Sequence, residues 1–141
     1  MSSLKGKQTV LTIGELKSLT SKKTKRKTKN EESKLQKACI KWFDSQYPEH
    51  VLFAIPNGGG RTPIQGAILK AEGVRAGVPD LFVAFAKEDT GGLFIEMKTQ
   101  EGKLNENQKV MIPKLRKAGY QVEVVRSFDE FKSLVDKYLC R

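Results

Sequence analysis

The sequence predicts an α/β fold, a mixed sheet flanked by helices. Three observations carry that expectation. Two apolar runs rich in Val, Ile and Phe, residues 77–83 and 93–98, flank a polar segment ending in Gly91-Gly92. Such a pattern reads as a β-hairpin. Residues 51–55 and 120–125 are further strand-like stretches,. Between and around these lie four segments in which apolar residues recur at helical spacing. The predicted order is α, β, α, β, β, α, β, α.

The first predicted helix covers residues 31–47. Leu35, Ala38, Cys39, Trp42 and Phe43 follow the i, i+3, i+4 period,. Asn30 is the expected N-cap, and Glu31 and Glu32 complement the positive end of the helix. Glu32 shares a ridge with Gln36, Cys39 and Phe43, so it borders the apolar face. Tyr47-Pro48 breaks the helix before the strand at 51–55, which is expected to be buried. Pro56-Asn57-Gly58-Gly59-Gly60-Arg61 follows. Its glycines permit close approach of backbone to a ligand, and Arg61 suits a phosphate.

Thr62-Pro63 is an N-cap followed by Pro at the first helical position. Ile64, Ala67, Ile68 and Ala71 make a short stripe that Gly73 ends. Arg75 is a second phosphate-contact candidate. Asn105 can cap a helix over 106–118, with Gln108, Met111, Ile112 and Leu115 on one face and Pro113 inside it,. Ser127-Phe128-Asp129-Glu130 has the form of a capping box opening the last helix, whose core face is Phe131, Leu134, Val135 and Tyr138,.

A chain of 141 residues supports one domain with a single core,. No run is apolar and long enough to span a bilayer, and the N-terminus has no signal-peptide core. The expectation is a soluble protein, cytoplasmic or nucleoid-associated, with no membrane partner and not secreted. Cys39, Cys140 and the single His50 have no metal-ligand spacing, which argues against a zinc site or a structural disulfide,.

The net charge is +10, unevenly spread. Residues 1–30 hold nine Lys or Arg and one acid, whereas residues 31–141 hold seventeen bases and fifteen acids. The chain therefore divides into a basic N-terminal arm, 1–30, and a nearly balanced domain, 31–141. Lys22, Lys23, Lys25, Arg26, Lys27 and Lys29 form a run with no apolar period, expected to be disordered,. Such an arm either neutralises nucleic-acid phosphates or only solubilises the chain. Residues 9–19 are its one apolar part, and Thr12 with Glu15 is a candidate capping box.

The predicted hairpin carries charges that a buried strand does not normally hold. Pairing Ala86 near Leu93 would set Asp80 opposite residues 97–99. Asp80, Glu96 and Lys98 then meet at one end, with Glu96 and Lys98 on the same face. Two carboxylates and an ammonium are costly there unless something binds. Two carboxylates suit a hard cation such as Mg²⁺, and the lysine beside them can hold or polarise a water.

Pro79-Asp80 with Glu96-x-Lys98 matches the PD-(D/E)XK nuclease signature. The wider set is Glu32-x-x-x-Gln36, Asn57-Gly58-Gly59, Gly73-x-x-x-Gly77-x-Pro79-Asp80, Glu96-Met97-Lys98 and Gly102-Lys103-Leu104-x-x-x-Gln108. In this order it resembles the virus-type replication-repair nuclease (VRR-NUC) domain over roughly residues 31–132. The resemblance implies a restriction-endonuclease-like core and metal-dependent hydrolysis of DNA phosphodiesters. It implies that Asp80, Glu96 and the Met97 carbonyl hold Mg²⁺ or Mn²⁺, with Glu32, or else Glu31, completing the acidic cluster directly or through water. Lys98 would position or deprotonate the attacking water. Gln108 would lie beside the metal and contact substrate or orient water, and Asn57 and Arg61 would contact substrate. Stand-alone relatives resemble Holliday junction resolvases, which implies branched DNA and a homodimer. A flap or nick nuclease, or a non-catalytic nucleic-acid-binding module, stays open at this point.

Overall fold

The structure is a computed structural model that describes residues 11–56 and 62–140. Helix α1, Ile13–Gln46, is followed by β1, Leu52–Ala54, and α2, Pro63–Ala71. Strands β2, Leu81–Val83, and β3, Leu93–Met97, come next. Then come α3, Glu106–Lys117, β4, Gln121–Val125, and α4, Phe128–Leu139. The element order is the predicted one. The strands form one sheet in the order β1-β2-β3-β4. β1, β2 and β3 run antiparallel in succession, and β4 pairs parallel to β3 across the α3 crossover,.

Alternation along β3 divides its side chains between two faces. Leu93, Ile95 and Met97 join Leu81 and Val83 of β2 against Cys39 and Phe43 of α1 and Phe131, Val135 and Tyr138 of α4. This is the main core, and all of these residues are at most 3% exposed. The Tyr47 hydroxyl donates to the Asp136 carboxylate and ties the end of α1 to α4. On the other face, the rings of Phe53, Phe82, Phe94 and Tyr120 form a row, with Phe82 and Phe94 4.5 Å apart. α3 covers part of that face.

Three expectations change. Residues 22–29, expected to lack structure, are helical, and α1 starts at Thr12 instead of Asn30. The Thr12 side chain accepts from Glu15 N–H while Glu15 accepts from Thr12 N–H, so the capping box anticipated there is the helix start,. From Glu15 to Gln46 the sequence contains no Gly or Pro, and Lys, Arg, Glu and Gln are good helix formers,. The like charges cost too little to break a helix already propagated from the domain.

The strand at 51–55 shrinks to β1, and Phe53 is 47% exposed because β1 is a sheet edge. At α4, Ser127 accepts from Glu130 N–H, but Glu130 accepts from Arg126 N–H, so only half of the capping box forms.

Candidate active site

The β2–β3 register brings the charges together. Leu81 pairs with Ile95 and Val83 with Leu93, so Asp80 stands level with Glu96. The expected partner of Leu93 is Ala86; the actual one lies three residues earlier (86 − 83). Lys87 and Thr90 form their own bridge, which takes these residues out of the strands. Asp80 Oδ2 accepts the Met97 N–H at 2.8 Å, tying the β2 carboxylate to the β3 backbone. The N–H and C=O of a strand residue point to the same side, so the Met97 carbonyl is also directed toward β2.

Glu96 is 1% exposed. Its Oε1 lies 3.0 Å from Lys98 Nζ and also accepts from Gln108 Nε2. Its Oε2 is buried and has no hydrogen-bond partner among the described residues. Loss of water and then the nearby Asp80 charge push the Glu96 carboxyl up to about 7,. Lys98 opposes that shift, and Glu32 adds the smallest upward push. An exposed salt bridge has no such features.

Gln108 arrives from the first turn of α3. Asn105 Oδ1 accepts from Gln108 N–H and Gln108 Oε1 accepts from Asn105 N–H, both at 2.9 Å. The capping box thus fixes one end of the amide and aims its NH₂ at Glu96. Gly77, at φ +85°, lets the preceding loop meet α3: a Cβ there would lie 2.3 Å from Asn107 O. Any side chain at 77 would push Asp80 and Gln108 apart.

Glu32 is half-buried on α1, and Glu31 is exposed. Glu32, Gln36, Lys29, Lys37 and Asp80 line an open groove of about 530 Å³. Asn57 and Arg61 lie outside the described residues. Arg75 is exposed, and its Nη1 donates to Lys70 O at 3.1 Å, closing the end of α2. Lys22, Lys23, Lys25, Arg26, Lys27 and Lys29 are all exposed along α1.

Among the described residues, no three His, Cys, Asp or Glu side chains are grouped to hold one metal ion. Glu32 shares the groove with Asp80. The donors at the strand pair itself are Asp80, Glu96 and the Met97 carbonyl. These suit Mg²⁺, which keeps several waters and takes one or two carboxylates instead of an all-protein cage. The unpartnered Glu96 Oε2 is the atom such an ion would satisfy.

The family model for the VRR-NUC domain matches residues 25–129. The chain belongs to the VRR-NUC domain family. Among solved structures, a "VRR_NUC domain protein" is similar at 27% identity and a TM-score of 0.65, over 77% of this chain and 87% of that one. A "VRR_NUC domain" structure at 24% identity and a TM-score of 0.52, over 76% and 96%, shares the fold. A search of curated proteins gives no match. VRR-NUC domains are nuclease domains, and the match covers Glu32 through Gln108.

One residue of this VRR-NUC site escapes a sequence reading. Arg126, directly after β4, donates from Nη1 to the carbonyls of Thr99 and Gly102, at 2.8 and 2.5 Å. It fastens the loop joining Lys98 to the cap of α3. A single Arg after a strand has no local signature; only the fold brings it to that loop.

Proposed function

We propose that this nuclease domain is a divalent-metal-dependent endonuclease that hydrolyses phosphodiester bonds in branched DNA. The observation that carries the reading is the buried Glu96 with one oxygen unpartnered, level with Asp80 and 3.0 Å from Lys98. Asp80, Glu96 and the Met97 carbonyl would hold Mg²⁺ or Mn²⁺, with Glu32 reaching it through water. When bound, the ion supplies Lewis acidity at the phosphate and lowers the pKa of water.

The chain's own groups do the rest. Lys98 Nζ holds the attacking water and relays its proton. Water adds at phosphorus and one P–O ester bond breaks, leaving a phosphate monoester and a hydroxyl. Gln108 and Arg126 act at one remove: Gln108 holds the Glu96 carboxylate, and Arg126 holds the loop that follows Lys98.

The preferred substrate in this reading is a four-way junction cut by a homodimer, because two symmetric incisions need two acidic clusters and one chain offers one. Ile13, Leu16 and Leu19 are 74, 49 and 47% exposed on α1 and give the second copy an apolar contact. Substrate selection then rests on backbone and shape. The experiment is a cleavage panel of junction, flap, nicked, duplex and single-stranded DNA with Mg²⁺, Mn²⁺ or chelator, alongside light scattering. Metal-dependent cutting highest on the junction, by a dimer, is the expected result. Preference for a flap or nick moves the substrate within the same chemistry. Binding without cutting under any metal overturns the enzyme.

A further inference from the structure

We propose that the N-terminal half of α1 is a rigid basic rail that holds one straight duplex arm of the DNA leaving the active site. This rests on the nuclease reading only for where the reacting phosphate sits. α1 is a single helix of 34 residues, so it is about 50 Å long at 1.5 Å per residue. Its second half packs on α4 and β3, and residues 13–27 are all exposed. The basic run is therefore extended in solvent as a continuation of the helix that carries Glu32.

Helical phase sorts those bases. Successive residues turn by about 100°. Lys29 itself lines the groove beside Glu32 and Asp80. The α1 residues lining the groove run in phase from Glu32 to Lys41, and Lys22, Arg26 and Lys29 fall within about a tenth of a turn of their midline, Lys25 within about a fifth. Lys17 and Lys27 fall on the far side, and Lys23 shares the phase of Lys41 at the groove's edge,. The stripe has no acid between Glu15 and Glu31. It runs about 15 Å from Glu32 to Lys22, roughly four phosphates of one strand at 3.4 Å each.

Duplex DNA is the occupant that fits. Residues 13–30 contain no aromatic side chain on which unpaired bases could stack,. What they offer is a straight line of charges about one helical turn apart, which matches a stiff backbone and not a flexible single strand. A disordered arm would read charge alone. A rail instead reads where the charge lies and in which direction the arm leaves the site, so it contributes to selecting the DNA shape.

The test compares two variants of the full chain with equal charge, Lys22→Ala/Lys29→Ala on the groove side and Lys17→Ala/Lys27→Ala on the other. A third variant, Thr28→Pro, keeps every charge but interrupts the helix between Lys27 and Lys29, which parts most of the run from Glu32. Affinity for duplex and for four-way junction DNA is measured against salt in chelator. The groove-side pair is expected to lose about tenfold or more in affinity at 0.1 M salt and to flatten the salt slope by about 2, for two phosphates. The opposite pair should lose less than half as much, and Thr28→Pro should behave like the groove-side pair while the domain's melting temperature holds. Equal losses for the two pairs, a silent Thr28→Pro, or no binding by the parent would overturn the rail. Face-dependent binding by a parent that cuts nothing in Mg²⁺ or Mn²⁺ would keep the rail and remove the nuclease chemistry.

Discussion

The two faces of β3 do opposite things with the same five residues and their neighbour Lys98. Leu93, Ile95 and Met97 enter an apolar core sealed by α1 and α4. Phe94, Glu96 and Lys98 face the other way, toward an aromatic row and the first turn of α3. Both faces are dry at the C-terminal end of the strand, since Met97 and Glu96 are each 1% exposed. Dryness on the first face stabilises the fold through buried area. On the second it raises the energy of a carboxylate held by Lys98 and Gln108 through only one of its two oxygens. A strand sheltered on both sides can therefore position a charge accurately, because its neighbour one residue away is fixed in the core.

The largest expected effect separates the faces outright. Asp80→Asn and Glu96→Gln should abolish DNA cleavage while far-UV circular dichroism and DNA binding stay as in the parent. Ile95→Ala, one residue away, should lose about 2–5 kcal/mol of stability and keep activity per folded molecule. Denaturant melts and single-turnover cleavage measure the two outcomes. Cleavage near the parent rate in both acidic-site variants would dissolve the distinction.

Lys98→Ala is next. It should slow the chemical step by about 10²–10⁴-fold, the range for a lost proton-transfer group, with metal affinity retained. Metal binding followed by calorimetry decides. If the ion no longer binds, or the domain unfolds, Lys98 belongs with the structural face.

The contrast between the faces also explains what can be read from sequence. The core face is legible because period-two and period-3.6 patterns record burial directly: Cys39, Phe43, Phe131 and Val135 all lie where their spacing puts them. Charges interrupting apolar runs make Asp80, Glu96 and Lys98 visible. Their register is not visible, because a bridge between Lys87 and Thr90 inside a polar segment leaves no periodic trace. Gly77 can be read as a turn, but its close approach to Asn107 belongs to the tertiary fold. Residues 13–30 mislead because a charge run looks alike whether it is free or extends a helix rooted in a core.

Gln108→Ala should have a smaller effect, about 10–100-fold on activity or metal affinity, as for other groups that orient a ligand. It also removes a donor that favours ionised Glu96, so the acid limb of the pH–rate profile should move to higher pH. A rate loss with an unmoved limb would mean that Gln108 only caps α3.

The smallest effect is a slope of stability with pH. The Glu96 carboxyl is raised from 4.5 to about 7 in the folded protein, by burial first and Asp80 second. Between those values the folded state holds a proton that the unfolded state has released, so stability falls as pH rises. Below about 4.5 both states are protonated and the contribution is constant. By pH 8 the loss is complete, on the order of 3 kcal/mol, since each tenfold change in proton affinity is worth about 1.4 kcal/mol. Glu96→Gln has no such proton to lose, so in chelator its stability should overtake the parent's progressively from pH 5 to 7 and hold the gain at pH 8. Ile95→Ala should instead lie below the parent by the same amount at every pH, since its cost is packing. Adding Mg²⁺ at pH 8 should narrow the gap between Glu96→Gln and the parent, because an ion on the carboxylates favours their ionised form. Urea melts at four pH values, with and without Mg²⁺, measure all three curves. If Glu96→Gln runs parallel to the parent across this range, Glu96 is ionised throughout and the dry face does not hold it near neutrality.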